Sequence, residues 1–503
     1  MRQWSPESWT AAAVCEQQPD WPDPAALHRV TGRLRALPPL VTVPDVMRLK
    51  DALALACRGE AFVLQAGDCA ETFEALTAPS LHRRIRVILQ MASVLGFVSG
   101  LPVIKVGRIA GQLGKPRSEP FERLDGPDGS RWLPSYRGDM VNGLEPTDQA
   151  RSPDPNRLIR AYFFSAAVLN VLRSLDHRGF SDIGRMQRWM REFVDAAPHG
   201  PARARFAAFA AELDHAVRFQ RATGGALDLG VQMFTSHEAL ILPYEQALTR
   251  WDPERGAWHA TSGHLLWIGE RTRRLDGAHV RFLSGVDNPI GVKIGPSATP
   301  SDVVALCRTL NPRRVPGRLT LITRMGAGRI AGALPPLIRA VRVAGEPVVW
   351  VCDPMHGNTY RSPVGVKTRS LADITAEVRA FFAVHRAEGS HPGGIHLELS
   401  GDDVTECVGG LPGLREAQLR TRYETACDPR LNPVQSMELA FLVAGLLAGS
   451  QSAEQPTARG DERGMEPGGR AETVQDVGDV AADRPLADAE DLRDLGVAMA
   501  EGH

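Results

Sequence analysis

The sequence predicts a (β/α)8 barrel, and three observations lead there. Short runs rich in Val, Ile and Leu alternate with longer segments of helical spacing, and near-continuous apolar runs suit parallel strands buried on both faces. There are eight such runs: AFVLQAGD (61–68), PVIKVGR (102–108), LGVQMFTS (229–236), HLLWIGER (264–271), IGVKIG (290–295), LTLITR (319–324), PVVWVCD (347–353) and GIHLEL (394–399). Reactive residues collect at their C-terminal ends, where a barrel builds its site from many strands. Cys69 follows the first, Arg108 ends the second, His237 follows the third and Arg271 ends the fourth. Lys293 lies late in the fifth, Arg324 ends the sixth, His356 follows the seventh and Glu398 lies in the eighth. A doubly wound open sheet also fits the alternation; the placement of reactive residues at the ends of so many strands favours the barrel.

Between about 150 and 225 the patterning is helical (RLIRAYFFSAAVLNVLRSL, MQRWMREFV, ARFAAFAAELDHAVRF) and longer than one crossover helix needs, so inserted helices are expected around the barrel. The barrel body, with an N-terminal extension, is expected over 1–450, closing with an apolar helix at 436–447. Beyond it, 451–503 is rich in Gly, Pro, Asp and Glu and too poor in apolar clusters to offset its ordering entropy. A disordered acidic tail is expected there, with at most a short helix near 486–499.

Charge and composition exclude several classes. The net charge of -1 divides into roughly -8 in the tail and +7 in the body, which suits anionic small molecules. No Lys/Arg run with interleaved aromatics points to nucleic acid. No apolar stretch is long enough to span a membrane and no signal sequence is evident, so a soluble cytoplasmic protein is expected. Seven scattered cysteines without a C-x-x-C pair indicate neither a disulfide scaffold nor a structural zinc site. No Walker A loop and no strand-linked G-x-G-x-x-G is present.

Cys69, His356, Glu398 and Asp428 combine a thiol, an imidazole and two carboxylates, a mixed donor set that suits one borderline divalent ion such as manganese, cobalt, iron or zinc. Each also has a plainer reading. Cys69 alone could be a small core residue, and Asp428 in TACDPR could merely start a turn before Pro429. Glu398, inside an apolar strand, needs a cation, either a metal or a buried ion-pair partner. His356 sits in CDPMHGNT, a turn that would expose its ring at a strand end. The second group is cationic: Arg108, Lys115, Arg117, Arg271, Lys293 and Arg324. Lys115 and Arg117 lie in the polar loop GKPRSEP, where solvation is the alternative. Arg and Lys closing apolar strands imply a multiply charged substrate bearing phosphate or carboxylate.

As a set, LQAGDCAETF, VIKVGRIAGQLGKPRS, SYRGDMVNG, FTSHEAL, WIGERTR, NPIGVKIGPS, TRMGAGR, CDPMHGNT, GGIHLELSGDDVTECVGG and YETACDPRLN resemble the class II (plant-type) 3-deoxy-D-arabino-heptulosonate 7-phosphate (DAHP) synthases, from about residue 17 to 447. The resemblance implies a (β/α)8 barrel transferase that condenses phosphoenolpyruvate with erythrose 4-phosphate, the first step of the shikimate pathway. It implies metal ligands Cys69, His356, Glu398 and Asp428, with manganese first and cobalt, iron, zinc or cadmium as alternatives. Phosphoenolpyruvate would meet Arg108, Glu270, Arg271, Lys293 and Arg324; erythrose 4-phosphate would meet Lys115, Arg117 and Ser118. Lys115 and His356 are the candidates for proton transfer. A homo-oligomer and an aromatic amino acid effector are expected. Two residues depart from the family pattern: Ala66 replaces the first glycine of Gly-Gly-Asp-Cys, and Gly107 an alanine. Ala66 raises a second reading, a relative that takes an imine of erythrose 4-phosphate in a secondary pathway. A third is a non-catalytic metabolite-binding regulatory barrel, which a degenerate site would mark.

Overall fold

The computed structural model describes residues 4–454, apart from 76, 127–128, 178–182, 197–199 and 223–231. The chain divides into Met1–Gln455 and Pro456–His503. The closing helix runs to Glu454, four residues into the expected acidic tail; the rest of that tail, 455–503, and its short helix lie outside the described residues.

Eight parallel strands close a barrel: β1 Phe62–Gly67, β2 Val103–Arg108, β3 Met233–Glu238, β4 Leu265–Ile268, β5 Ile290–Ile294, β6 Leu319–Thr323, β7 Val349–Cys352 and β8 Gly394–Glu398. Each pairs with its sequence neighbours and β8 pairs with β1, so the open-sheet alternative is excluded. Each strand overlaps one of the eight runs read from the sequence. The third is displaced: it begins at Met233, residues 229–231 lie outside the described residues, and His237 falls inside it instead of after it.

Strand period sorts the side chains. On β1, Phe62, Leu64 and Ala66 pack outward into the layer formed with the surrounding helices, while Val63 faces the barrel interior. Ile104 and Val106, Phe234, Leu265 and Trp267, Ile322, and Val349 and Val351 fill that interior. The helix Val43–Cys57 closes its N-terminal end with Leu49, Leu53 and Ala56. A side chain on Gly317 would put its Cβ 2.0 Å from the Lys50 carbonyl of that helix, so a glycine is required there.

The crossover helices carry their start signals in the sequence. Thr77 caps Ala78–Ser99, and Thr299 caps Pro300–Leu310 in a capping box with Asp302; both helices have Pro in the first turn. The expected insertion is formed by Asn156–His177, Ile183–Ala196 and Pro201–Ala222. Phe206 and Phe209 of the last one stack on Phe441 of the closing helix Pro433–Glu454. Three hairpins, 121–134, 249–260 and 359–369, have no counterpart in the sequence reading. Among the described residues no helix is long and apolar enough to cross a membrane.

Candidate metal and anion site

The interior period continues upward from the core into the chemistry. Two residues beyond Val106, Ile322 and Val351 stand Arg108, Arg324 and Asp353, and beyond Phe234 the same row leads to Glu238. Gly291 of that row lacks a side chain where a Cβ would lie 2.9 Å from Trp267, and Lys293 follows it. These residues therefore reach one end of the barrel because the strands are regular.

Cys69, Glu398 and Asp428 have their ligand atoms within 4.8 Å of one another. His356 joins on one side, its Nε2 3.1 Å from Glu398 Oε1. The Lys115 ammonium lies among these groups, 3.2 Å from Cys69 Sγ, 2.6 Å from Asp428 Oδ2 and 4.0 Å from Glu398 Oε1. Three of the four donors thus face one position that already accommodates a positive charge, so thiol, imidazole and carboxylates fit a borderline divalent cation. Burial pushes the Cys69 thiol well above its ordinary value, with a hydrogen bond to Cys427 in the same direction. Burial opposes ionisation of Glu398 too, but His356 and Arg369 hold it well below the usual range. Glu398 has the ion-pair partners its sequence context called for, Arg108 and Arg369 donating to its two oxygens at 2.9 and 2.7 Å, and its carboxylate also belongs to the donor cluster with Cys69 and Asp428.

Asp353, which the sequence reading did not single out, organises this side of the site. Its Oδ2 accepts from His356 Nδ1 at 2.7 Å and from Lys293 Nζ, and its Oδ1 accepts from the backbone of Met355 and His356. A proton on Nδ1 leaves His356 Nε2 free to act as a ligand. Its signal was its position directly after an apolar strand.

Above the donors is a cavity of about 650 Å³. Of the metal and anion candidates, all but the buried Cys69 and Glu398 line it. Arg108 is spread over Glu398, the carbonyls of Asp68 and Cys69, and the face of Trp267, 5.1 Å from the ring centre. Lys293 is matched by Asp353; burial pushes it down to about 8, with Asp353 opposing. Arg324 donates to the His356 carbonyl at 3.2 Å and Arg271 to Ser118 Oγ at 2.6 Å. Neither meets a carboxylate among the described residues, so both retain charge for a ligand. Arg117 donates to Glu122, which buried Arg151 also holds. Glu238 and Trp267 also line the cavity and were missed; burial pushes the Glu238 carboxyl up, and its Oε1 has no hydrogen-bond partner.

Three expectations change. Arg271 does not end β4, which stops at Ile268. Glu270, held by the Gly295 amide at 2.6 Å and by Arg273, turns the chain into the 3-10 helix Glu270–Thr272 that carries Arg271 outward. His237 points away from the site, buried and paired with Glu245 at 2.7 Å. Ala66 faces the helices. The close backbone approach is at Gly67, φ +152°, where a Cβ would lie 2.5 Å from the Arg108 carbonyl.

The family described as the Class-II DAHP synthetase family matches residues 4–444. Phospho-2-dehydro-3-deoxyheptonate aldolase of Streptomyces coelicolor is 50% identical over 430 residues, 85% of this chain and 94% of that protein. Phospho-2-dehydro-3-deoxyheptonate aldolase AroG of Mycolicibacterium smegmatis is 48% identical over 439 residues, 86% of this chain and 92% of that one. A solved phospho-2-dehydro-3-deoxyheptonate aldolase from Francisella tularensis SCHU S4 aligns over 89% of this chain and 98% of its own, with 11% identity and a TM-score of 0.42, too distant to carry weight.

Proposed function

The chain belongs to the class-II DAHP synthetase family, and from that premise we propose how its residues divide the work of a DAHP synthase. The overall reaction joins phosphoenolpyruvate and erythrose 4-phosphate with water and releases phosphate. The observation that supports the assignment best is the stacking of a three-donor cluster, with His356 beside it, directly beneath a cavity lined by Arg and Lys.

Cys69, His356, Glu398 and Asp428 would hold one divalent ion, manganese by preference. When bound, the ion supplies Lewis acidity toward the acceptor's aldehyde. Arg108, Lys293 and Arg324 bind the phosphate and carboxylate of phosphoenolpyruvate, with Glu270 and Arg271 at its rim. Trp267 lies beneath Arg108 and excludes water from that side. Lys115, Arg117 and Ser118 receive erythrose 4-phosphate. Held in register, C3 of phosphoenolpyruvate bonds to the aldehyde carbon and the aldehyde oxygen gains a proton, for which Lys115 is placed. Water adds at the electron-poor C2; one of its protons replaces the one given to the aldehyde oxygen, and the other leaves with phosphate as the tetrahedral carbon collapses to the ketone. The Glu238 carboxyl, in the cavity wall, is placed to hold that water. Proximity and fixed cations supply the catalysis here, a positioning and electrostatic role.

Two specific features bear on the acceptor. Ala66 faces the helices and does not alter the cavity, and every donor of the metal set is retained, so neither the imine acceptor nor the non-catalytic reading gains support. The deciding experiment strips the full chain with a chelator, restores manganese or cobalt, and offers erythrose 4-phosphate and its imine separately. Turnover of erythrose 4-phosphate only with metal is expected. Full activity in the stripped protein would sink the metal assignment, and faster turnover of the imine would overturn the acceptor.

A further inference from the structure

Behind the cavity, the loops leaving β6 and β7 are tied together by Glu377, a fully buried carboxylate on the outer helix Leu371–Glu388 that takes no part in the chemistry above. Its Oε1 accepts from the backbone amides of Met325 and Gly326, both at 2.9 Å. Its Oε2 accepts from Asn358 Nδ2 at 2.7 Å. Asn358 in turn accepts from the Ala327 amide at 3.0 Å and donates to the Pro354 carbonyl at 2.8 Å. The two loops also touch through glycines: a Cβ on Gly357 would lie 2.4 Å from the Gly326 nitrogen. No cation pairs with Glu377 among the described residues, so these three donors alone compensate a buried acid.

One end of this tie adjoins Arg324, the residue before Met325; the other is two residues past His356, whose carbonyl accepts from Arg324. We infer that Glu377 is a positioning residue that sets the β6 loop against the β7 loop, so that one outer-helix side chain governs affinity for both phosphoenolpyruvate and the metal ion. The inference rests on the roles proposed above for Arg324 and His356. It also explains why the position holds an acid and not its amide. Burial pushes Glu377 up to about 7, with its three hydrogen bonds opposing; in the ionised form the carboxylate only accepts, and three donors converge on it. If Gln at 377 kept its oxygen on the two backbone amides, its NH2 would face the NH2 of Asn358. Flipping Asn358 would then turn its NH2 onto the Ala327 amide and its oxygen onto the Pro354 carbonyl. No amide rotation satisfies the whole set.

The test uses full-length Glu377→Gln and Asn358→Ala, with Arg324→Ala and His356→Ala as references. Manganese affinity is read by equilibrium dialysis without substrates, and KM for each substrate is read at saturating manganese. Loss of a direct outer partner of a metal ligand typically costs roughly 10-fold or more in affinity, and Glu377 acts on His356 through Asn358 and the turn that carries both. Glu377→Gln should therefore raise both the manganese Kd and the KM for phosphoenolpyruvate by about 10-fold, with the KM for erythrose 4-phosphate unchanged; Asn358→Ala should move the same two quantities. A folded Glu377→Gln with wild-type Kd and KM, with only one of them moved, or with both substrate KM values raised alike would overturn the coupling. Should Glu377→Gln not fold, Asn358→Ala decides by the same criteria. The references separate the two levels: Arg324→Ala should weaken phosphoenolpyruvate alone and His356→Ala the metal. If they do not, the site assignment falls and the inference with it; if they do and Glu377→Gln is silent, only the coupling falls.

Discussion

Lys293 shows most directly how burial sets chemistry at a single residue. Burial pushes its ammonium down to about 8, with Asp353 opposing and Arg108 adding to the fall. The charged form is the one that binds an anion, so affinity for phosphoenolpyruvate is full below that value and is lost as pH rises through it. We predict that kcat/KM for phosphoenolpyruvate falls about tenfold per unit above roughly pH 8, because this ratio reports the free enzyme. Lys293→Arg should remove the inflection whatever its absolute rate; a profile with the same break in that variant would exonerate Lys293. Cys69 makes a separate case. Its thiol is pushed up by burial, so only a strongly bound cation would keep it ionised, and a serine hydroxyl is a far poorer partner for borderline ions. Cys69→Ser should lose at least about tenfold in manganese affinity, since a ligand's contribution is folding and binding energy together. Unchanged metal content by elemental analysis would return Cys69 to the core.

At the scale of the strand, β1 separates two neighbouring residues that look alike in sequence. Ala66 packs against the outer helices, whereas Gly67 has φ +152° and lies against the Arg108 carbonyl. Ala66→Gly should leave the preference between erythrose 4-phosphate and its imine unchanged and cost about 0.5–1 kcal/mol in urea unfolding, the entropic cost of glycine in a strand. Gly67→Ala should displace Arg108 and sharply weaken phosphoenolpyruvate binding. A changed acceptor ratio in Ala66→Gly would restore the idea that this departure tunes the substrate. The pair also shows what the sequence could reveal. The apolar runs exposed all eight strands, and their ends pointed to Arg108, Lys293, Arg324 and Glu398, because burial on both faces leaves a strong local signal. Which residues face inward depends on register, a property of paired strands, and so the outward face of Ala66 could not be read and Glu238 and Trp267 went unnoticed. Asp353 and Glu377 matter through partners on other strands and helices, a relation that no local pattern encodes.

Across the molecule, the N-terminal segment acts as a strap from one end of the barrel to the other. Trp4 stacks where Gly285 leaves space, its Nε1 donating to the Arg281 carbonyl at 2.9 Å. Further on, Val14 bridges to Gly277, and Gln18 holds the Leu240 carbonyl at 2.7 Å and the Leu242 amide at 3.1 Å. The strap ends on the site itself. Gln17 accepts from the Arg117 amide at 2.9 Å and donates to the Arg117 carbonyl at 3.0 Å. Gln17 has φ +63°, a conformation that disfavours any residue with a Cβ, so the paired amide hydrogen bonds must outweigh that strain. Arg117 and Ser118 are the residues proposed to receive erythrose 4-phosphate, and they have no strand of their own to hold them. Two hydrogen bonds are together worth about 1–3 kcal/mol, enough to loosen this loop without unfolding the barrel. Gln17→Ala should therefore raise the KM for erythrose 4-phosphate by about tenfold, in line with that energy, while the KM for phosphoenolpyruvate and the manganese affinity stay at wild-type values. A rise shared by both substrates would make the strap a general stabiliser, and no rise at all would free the loop from it. Gln17→Gly separates strain from contact: glycine relieves the positive φ but cannot reach Arg117, so it should behave as Gln17→Ala does in binding while melting no lower than that variant.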